Sequence, residues 1–449
     1  MQNNKTIKTI RNAAVTFFVI AAGALTAFAG IPSNDDFANA EVLTGARVSV
    51  TRSNFDSTKE PGEPNHAFNV GGSSVWFKYT APSTAVMLFS TGRSQSNFDS
   101  TLHVYVGNSV SSLFSRTFNN DISPSVNRRS AIRTEVQAGT VYYIAIDGFN
   151  SGSGAATGVF TLDIIPSNMY QGSDVDGDGL TDLSVFRPSE GNWYALGSGS
   201  GEFIVRHYGT SGDIPVVASR TTARTFPTVF RPGAGLWYGY IEGENSMILN
   251  WGLPGDIPLA DTFGGEGSSD YTVFRPSTGD WYIYGYGIAD RYYHFGLEGD
   301  VPVPGRYSPD STADLAVFRP STGVWYILRR LSGNPNDDSF RAVQFGQAGD
   351  KPVPGDYDGD GILDLAIYRP STGTWWVLRS SDNQQRAFQW GLATDVPTTG
   401  DFDGDGIFDF AVFRPSTGDW YILNSMNQNV KIMHFGVSSD IPMTSNLRY

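Results

Sequence analysis

The stretch "GDYDGDGILD" (355–364) sets Asp356, Asp358, Asp360 and Asp364 at positions 1, 3, 5 and 9 of a short loop. Alternation along the backbone turns the first three side chains to one concave side. Gly359 and Gly361 allow a tight curl, because glycine enters left-handed backbone space at little cost. The carbonyl of Ile362 at position 7 can add a further oxygen. Hard oxygen donors in this number suit Ca2+, which takes roughly 6–8 of them. Without a cation, four close carboxylates repel one another; a divalent ion removes that repulsion. The same loop recurs as Asp174, Asp176, Asp178, Leu180 and Asp182, and again as Asp401, Asp403, Asp405, Ile407 and Asp409. In each copy the position-7 residue offers its carbonyl.

Other chemistries fit less well. An EF-hand loop needs Glu at position 12 and a following helix, but Val185, Ile367 and Val412 stand there, inside predicted strands. Paired carboxylates for hydrolysis are disfavoured by three copies of the same cluster in one register. A solvated turn without metal stays open as an alternative. Three further copies have decayed. The second unit offers Ala218, Arg220, Thr222 and Phe226. The third offers Thr262, Gly264, Glu266 and Asp270. The fourth offers Arg306, Ser308, Asp310 and Asp314, with Arg306 bringing its own positive charge. The chain has no cysteine, so no disulfide can staple its loops. The carboxylates are therefore read as scaffold, a cation staple.

Nucleophilic catalysis wants Ser or Thr beside His. His207, His294 and His434 share a repeat position with Asn250, Gln344 and Gln389, which marks a polar structural slot. His103 falls in a predicted strand. His66, with Glu60 and Glu63 nearby, is the one predicted loop histidine. No H-E-x-x-H or G-x-S-x-G motif occurs. Arg187, Arg231, Arg275, Arg319, Arg369 and Arg414 are expected to pair with Asp213, Asp256, Asp300, Asp350, Asp395 and Asp440 in structural clamps. The repeated tryptophans 193, 237, 281, 325, 375 and 420 are expected to fill core, with sugar stacking as the alternative.

The elements that carry these residues repeat. "VFRPSEGNWY" (185–194) returns five times, last as "VFRPSTGDWY" (412–421), at a period of 44 to 50 residues. A fixed period of this size marks a stacked or radial architecture. Each unit holds about four short strands, with Ser-Thr-Gly as one turn, the pattern of a propeller blade. The first unit lacks its leading strand, and "DIPMTSNLRY" at the C-terminus supplies one. The predicted fold class is all-β: a six-bladed β-propeller over 169–449, preceded by a β-sandwich or jelly-roll domain over 30–168. Residues 1–29 read as a signal peptide, with basic Lys5, Lys8 and Arg11, an apolar run and an Ala27-Phe28-Ala29 end, and an uncleaved membrane anchor is the alternative. The formal net charge of −14 excludes nucleic acid as a partner class, which demands clustered Lys and Arg.

These repeats resemble the FG-GAP/VCBS type, the family that includes the integrin α-subunit head. The resemblance rests on the D-x-D-x-D-G-x-x-D loop and on "HFG" (294–296, 434–436); "VPG" (303–305, 353–355) stands where the family has Gly-Ala-Pro. It implies calcium at the three intact loops. "NDDFANA" (34–40), "SVWFKYTAP" (74–82), "FDSTLHVYVG" (98–107) and "YYIAIDG" (142–148) are similar to the bacterial pre-peptidase C-terminal (PPC) domain, which implies an accessory role. Asp35, Asp36 and Asp121 there are read as turn caps, with a further cation as the alternative. The expectation is a secreted or cell-surface, calcium-stabilised binding or adhesion protein. It is expected to be monomeric, with no membrane span after leader removal and with a glycan or protein ligand. A secreted polysaccharide-active or other hydrolase is the alternative.

Overall fold

The computed structural model describes residues 30–92, 96–121, 128–166, 172–219, 225–240, 247–264, 269–285, 289–309, 312–329, 339–425 and 427–444. The expected leader, most of the linker at 166–173, and Arg220, Thr222, Glu266 and Asp310 lie outside the described residues. The chain is all-β; among the described residues the only helical pieces are 3-10 turns at Phe37–Asn39, His66–Phe68 and Val110–Ser112.

Two sheets form the N-terminal region. One runs in the order Glu41–Leu43, Val75–Thr80, Val141–Gly148, Ser100–Val106 and Phe114–Asn119; the other runs Val48–Ser53, Val159–Pro166, Ala85–Ser90 and Ala131–Val136. One apolar core takes residues from both, including Phe77, Val104 and Ile144 from the first and Phe89, Phe160 and Ile164 from the second. Successive strand residues face opposite sides. Leu88 and Ile165, between core residues of the second sheet, therefore point to its other face. They are buried there together with Ala131. That face is apolar because the repeat region covers it, as described below.

Among the described residues the remainder forms six four-stranded antiparallel sheets. The fifth is typical: Lys351–Pro352, Leu365–Arg369, Thr374–Leu378 and Gln385–Gln389. Its second strand is buried on both faces, its third alternates, and its fourth is mostly exposed. This gradient explains the sequence texture, since a strand covered on both faces reads as a continuous apolar run. The Ser-Thr-Gly turn needs its glycine: Gly373 has φ +62°, and a Cβ there would sit 2.2 Å from the Gly391 carbonyl oxygen. On the third strands the repeated tryptophans 193, 237, 281, 325, 375 and 420 are each buried. Each also donates its indole N–H to a backbone carbonyl, as Trp375 does to Trp390 at 2.9 Å and Trp420 to Phe435 at 2.7 Å.

The first sheet takes its fourth strand from the far end of the chain. Ile441–Pro442 pairs antiparallel with Leu183–Arg187, and Ser184 Oγ donates to the Met443 carbonyl at 2.7 Å. Consecutive sheets share apolar clusters, and the sixth shares one with the first, where Leu183 and Val185 pack with Phe402, Phe413 and Trp420. One backbone hydrogen bond recurs between neighbours. Thr225, Ser269, Ala313, Leu363 and Phe408 donate to the carbonyls of Asp174, Ser219, Thr262, Arg306 and Asp356, and Thr181 of the first unit donates to Asp401 of the sixth at 2.7 Å.

Candidate metal centres

The three intact loops gather their aspartates in space. Ligand-capable oxygens lie within 4.8 Å of one another for Asp174, Asp176 and Asp182, for Asp356, Asp358 and Asp360, and for Asp401, Asp403 and Asp409. The curl is drawn by the carboxylates themselves. Asp356 accepts the amides of Gly359 and Gly361 at 2.6 and 2.9 Å, and Asp401 accepts those of Gly404 and Gly406 at 2.6 and 2.7 Å. The glycines sit at positive φ, +80° and +88° for Gly359 and Gly361. The amides of Leu180, Ile362 and Ile407 go to Asp178, Asp360 and Asp405.

The ninth-position aspartate has a second task. Asp364 accepts the Tyr357 amide on one oxygen and the Ser380 amide on the other, and Asp409 does the same with Phe402 and Ser425. It thus ties the loop to the turn after the third strand. Asp270 and Asp314, in decayed loops, still accept the local amides of Phe263, Gly264 and Tyr307. This position therefore holds backbone whether or not a loop could take an ion. The second unit differs: its strands pair straight through, Ala218 opposite Phe226 and Ser219 opposite Thr225.

Burial sets the electrostatics. Desolvation, helped by neighbouring carboxylates, pushes Asp174 and Asp401 up to about 7 and Asp364 and Asp409 up to about 8. Asp178 and Asp182 are raised well above the usual range by the same causes. Asp174 Oδ1 and Asp405 Oδ2 are buried without any hydrogen-bond partner. A buried carboxylate oxygen left unpaired is costly, and a hard divalent cation answers that need. All-oxygen donors in every intact loop, and an orphaned oxygen in the first and the sixth, are a set that could hold a metal ion.

Basic side chains stand beside each loop. Arg379 reaches Asp358 at 3.3 Å, and Arg306 of the preceding unit lies close enough to Asp360 to offset part of its desolvation. Arg133 of the N-terminal region reaches Asp174 at 3.4 Å, and Arg129 feels the charges of Asp176 and Asp178. Arg47 donates to the Gly406 carbonyl at 2.8 Å, and Lys431 feels Asp182, Asp403 and Asp409. Sequence reasoning picked out only Arg306. It also missed the donors after the third strand: Ser200 to Asp176, Ser380 to Asp360, Ser381 to Asp358 and Asn424 to Asp403. Serine or asparagine at that turn in all three intact units was the available signal.

At the opposite end of each unit the expected clamps form. Arg187 pairs with Asp440, Arg231 with Asp213, Arg275 with Asp256, Arg319 with Asp300, Arg369 with Asp350 and Arg414 with Asp395, all at 2.7–2.9 Å. The histidine slot is structural too: His207 bonds Asn192, His294 bonds Asp280 and His434 bonds Asp419.

His66 is not a loop residue open to substrate. It is buried in a 3-10 turn, with Glu63 on one ring nitrogen at 2.7 Å and Tyr105 on the other at 2.8 Å. The sequence missed this because its apolar cover, including Trp76, comes from distant strands. A Ser–His contact does occur, His103 Nε2 to Ser115 Oγ at 2.7 Å. The Ala67 amide donates to His103 Nδ1, so the ring proton sits on Nε2 and points at the serine. Burial also drives the ring down to about 3. A histidine in that tautomer cannot take the serine's proton. Asp35 accepts the Thr58 amide and hydroxyl, as a turn cap does. A cleft of about 330 Å3, including space open to solvent, lies between the first two sheets, lined by Trp193, Val217, Thr225 and Phe226 among others.

No family model matches the chain, and no curated protein matches it. Among solved structures it is similar to virginiamycin B lyase from Staphylococcus aureus, at 10% identity and TM-score 0.38 over 58% of this chain and 86% of that one. It is also similar to AztD from Citrobacter koseri, at 10% identity and TM-score 0.37 over 80% and 97%. A third is BBS1N in complex with ARL6DN, at 13% identity and TM-score 0.38 over 63% and 94%. These neighbours are β-propeller-like.

Proposed function

We propose that the chain is a calcium-stabilised extracellular binding protein that recognises a glycan or protein ligand. In this reading the six sheets are blades of a closed ring of the FG-GAP/VCBS type, the two N-terminal sheets are a PPC-like sandwich, and residues 1–29 direct export. Closure is supported by the strand Ile441–Pro442 in the first sheet and by the Thr181 to Asp401 hydrogen bond. The observation that carries the metal reading is the unpaired Asp174 Oδ1, buried amid three more carboxylates.

Asp174, Asp176, Asp178 and Asp182 would hold one ion with the Leu180 carbonyl. Asp356, Asp358, Asp360 and Asp364 would hold a second with that of Ile362, and Asp401, Asp403, Asp405 and Asp409 a third with that of Ile407. A bound Ca2+ supplies the positive charge that lets each set stay ionised together. Regularity from blade to blade favours a presented surface over a single reaction centre. Glycan and matrix-protein arrays with and without calcium identify the ligand. Titration calorimetry tests the metal reading: the protein binds three calcium ions, and Asp178→Ala, Asp360→Ala and Asp405→Ala each bind two. Each site contributes about 2.7 kcal/mol at a hundredfold excess of calcium over its Kd. A protein that binds no calcium overturns the reading.

A further inference from the structure

The three loops differ in what covers them. In the first unit Asp174, Asp176, Asp178 and Asp182 are all buried, none more than 2% exposed. In the fifth, Asp360 is exposed, although the Asp358 side chain is buried against Arg379. The sixth lies between, with Asp401 and Asp409 buried and Asp403 and Asp405 half-buried.

The cover over the first loop is the outer face of the second N-terminal sheet. Leu88 stands so close to Gly179 that a Cβ there would fall 2.4 Å from the leucine side chain. Arg133 reaches Asp174, and Arg129 lies in the field of Asp176 and Asp178. The fifth loop, by contrast, takes Arg306 and Arg379 from the repeat region itself, and the N-terminal region reaches it with the tip of Arg47, which lies beside Gly359.

We propose that the N-terminal region is a lid on the first-unit cation site, so that its ion leaves only when the two regions part, while the fifth-unit ion exchanges directly with solvent. This rests on the metal reading above. A buried, charge-lined site must open before a hydrated ion can form, so escape is limited by the fraction of time the cover is lifted. Arg129 and Arg133 fit the role. A divalent ion among four carboxylates leaves two negative charges, and the two guanidinium groups balance them across the contact.

The test mixes calcium-loaded full-length protein with excess fluorescent calcium chelator and follows release in time. Three ions should leave, at least one in a distinctly slow phase. Asp360→Ala should remove one fast ion and leave the slow phase intact. Arg133→Met loosens the cover and should speed the slow phase about tenfold, the loss of one partly buried charge pair. Leu88→Asp sets a carboxylate against the acidic loop and should speed it about a hundredfold. Circular dichroism and the total ion count establish that each variant is folded and loaded. Release of all three ions in one phase overturns the lid, as does a slow phase unchanged in both cover variants. A protein that carries no calcium before mixing overturns the metal reading, and the lid with it.

Discussion

At one end of every repeat an aspartate meets an arginine; at the other end, in three repeats, aspartates meet one another. The clamp end is complete in itself. Each clamp carboxylate is buried, accepts from the guanidinium Nε and Nη2, and has its arginine lying over an aromatic ring, at 4.0–4.5 Å for the tyrosines and 5.4 Å for Trp376. The loop end is incomplete in itself, because its carboxylates outnumber the charges beside them. A balanced pair can be repeated in all six units without regard to surroundings. An unbalanced cluster survives only where something else supplies charge, and the fourth unit solves the problem by placing Arg306 at the first loop position.

The sharpest separation of the two ends is Asp395→Ala. It leaves Arg414 without its buried partner and should cost about 3 kcal/mol, in the range for breaking one side of a largely buried pair. Thermal melts should show the same loss with calcium and with chelator. A loss that appears only in chelator would mean that clamp and loop are one system.

A pH series on metal-free protein should show stability falling between pH 5 and pH 8. Asp174 and Asp401 titrate near 7 and Asp364 and Asp409 near 8 in the folded chain, against about 3.9 unfolded. The folded state therefore holds protons that the unfolded state has released. The stability from this source is full below about pH 4 and is lost as pH rises through 7 to 8. Saturating calcium should invert the slope, because the ion competes with those protons. Metal-free protein that becomes more stable from pH 5 to pH 8 would show the loops to be balanced without an ion.

The smallest change should follow His294→Asn at the clamp end. Its side chain is 65% exposed where it meets Asp280, and Asn already fills the equivalent slot at 250. The melting temperature should move by no more than about 0.5 kcal/mol allows. A larger drop would give this slot a role beyond the strand end.

Much of this was legible because it is local and periodic. Spacing gave the Asp loops, the Arg–Asp pairs and the buried tryptophans, since each recurs in the same register from unit to unit. The pairing of Ile441–Pro442 with the first sheet was legible too, because a missing and a surplus strand show up in the same count. The lid was not. Leu88, Arg129, Arg133 and Arg47 belong to no repeat, and only the fold brings them to the loops. The burial of His66 was hidden for the same reason, as Trp76 and Tyr105 reach it from strands outside its own turn.

The borrowed strand also sets a timetable. Arg187 waits for Asp440, 253 residues downstream. At roughly 5–20 residues per second of synthesis, the first sheet stands without its partner strand for about 10–50 s. Throughout that interval Leu183–Arg187 has an open edge, the kind of surface that recruits other strands. Newly made chains are therefore most exposed to mispairing at their oldest repeat, and a helper that shields strand edges would act there first.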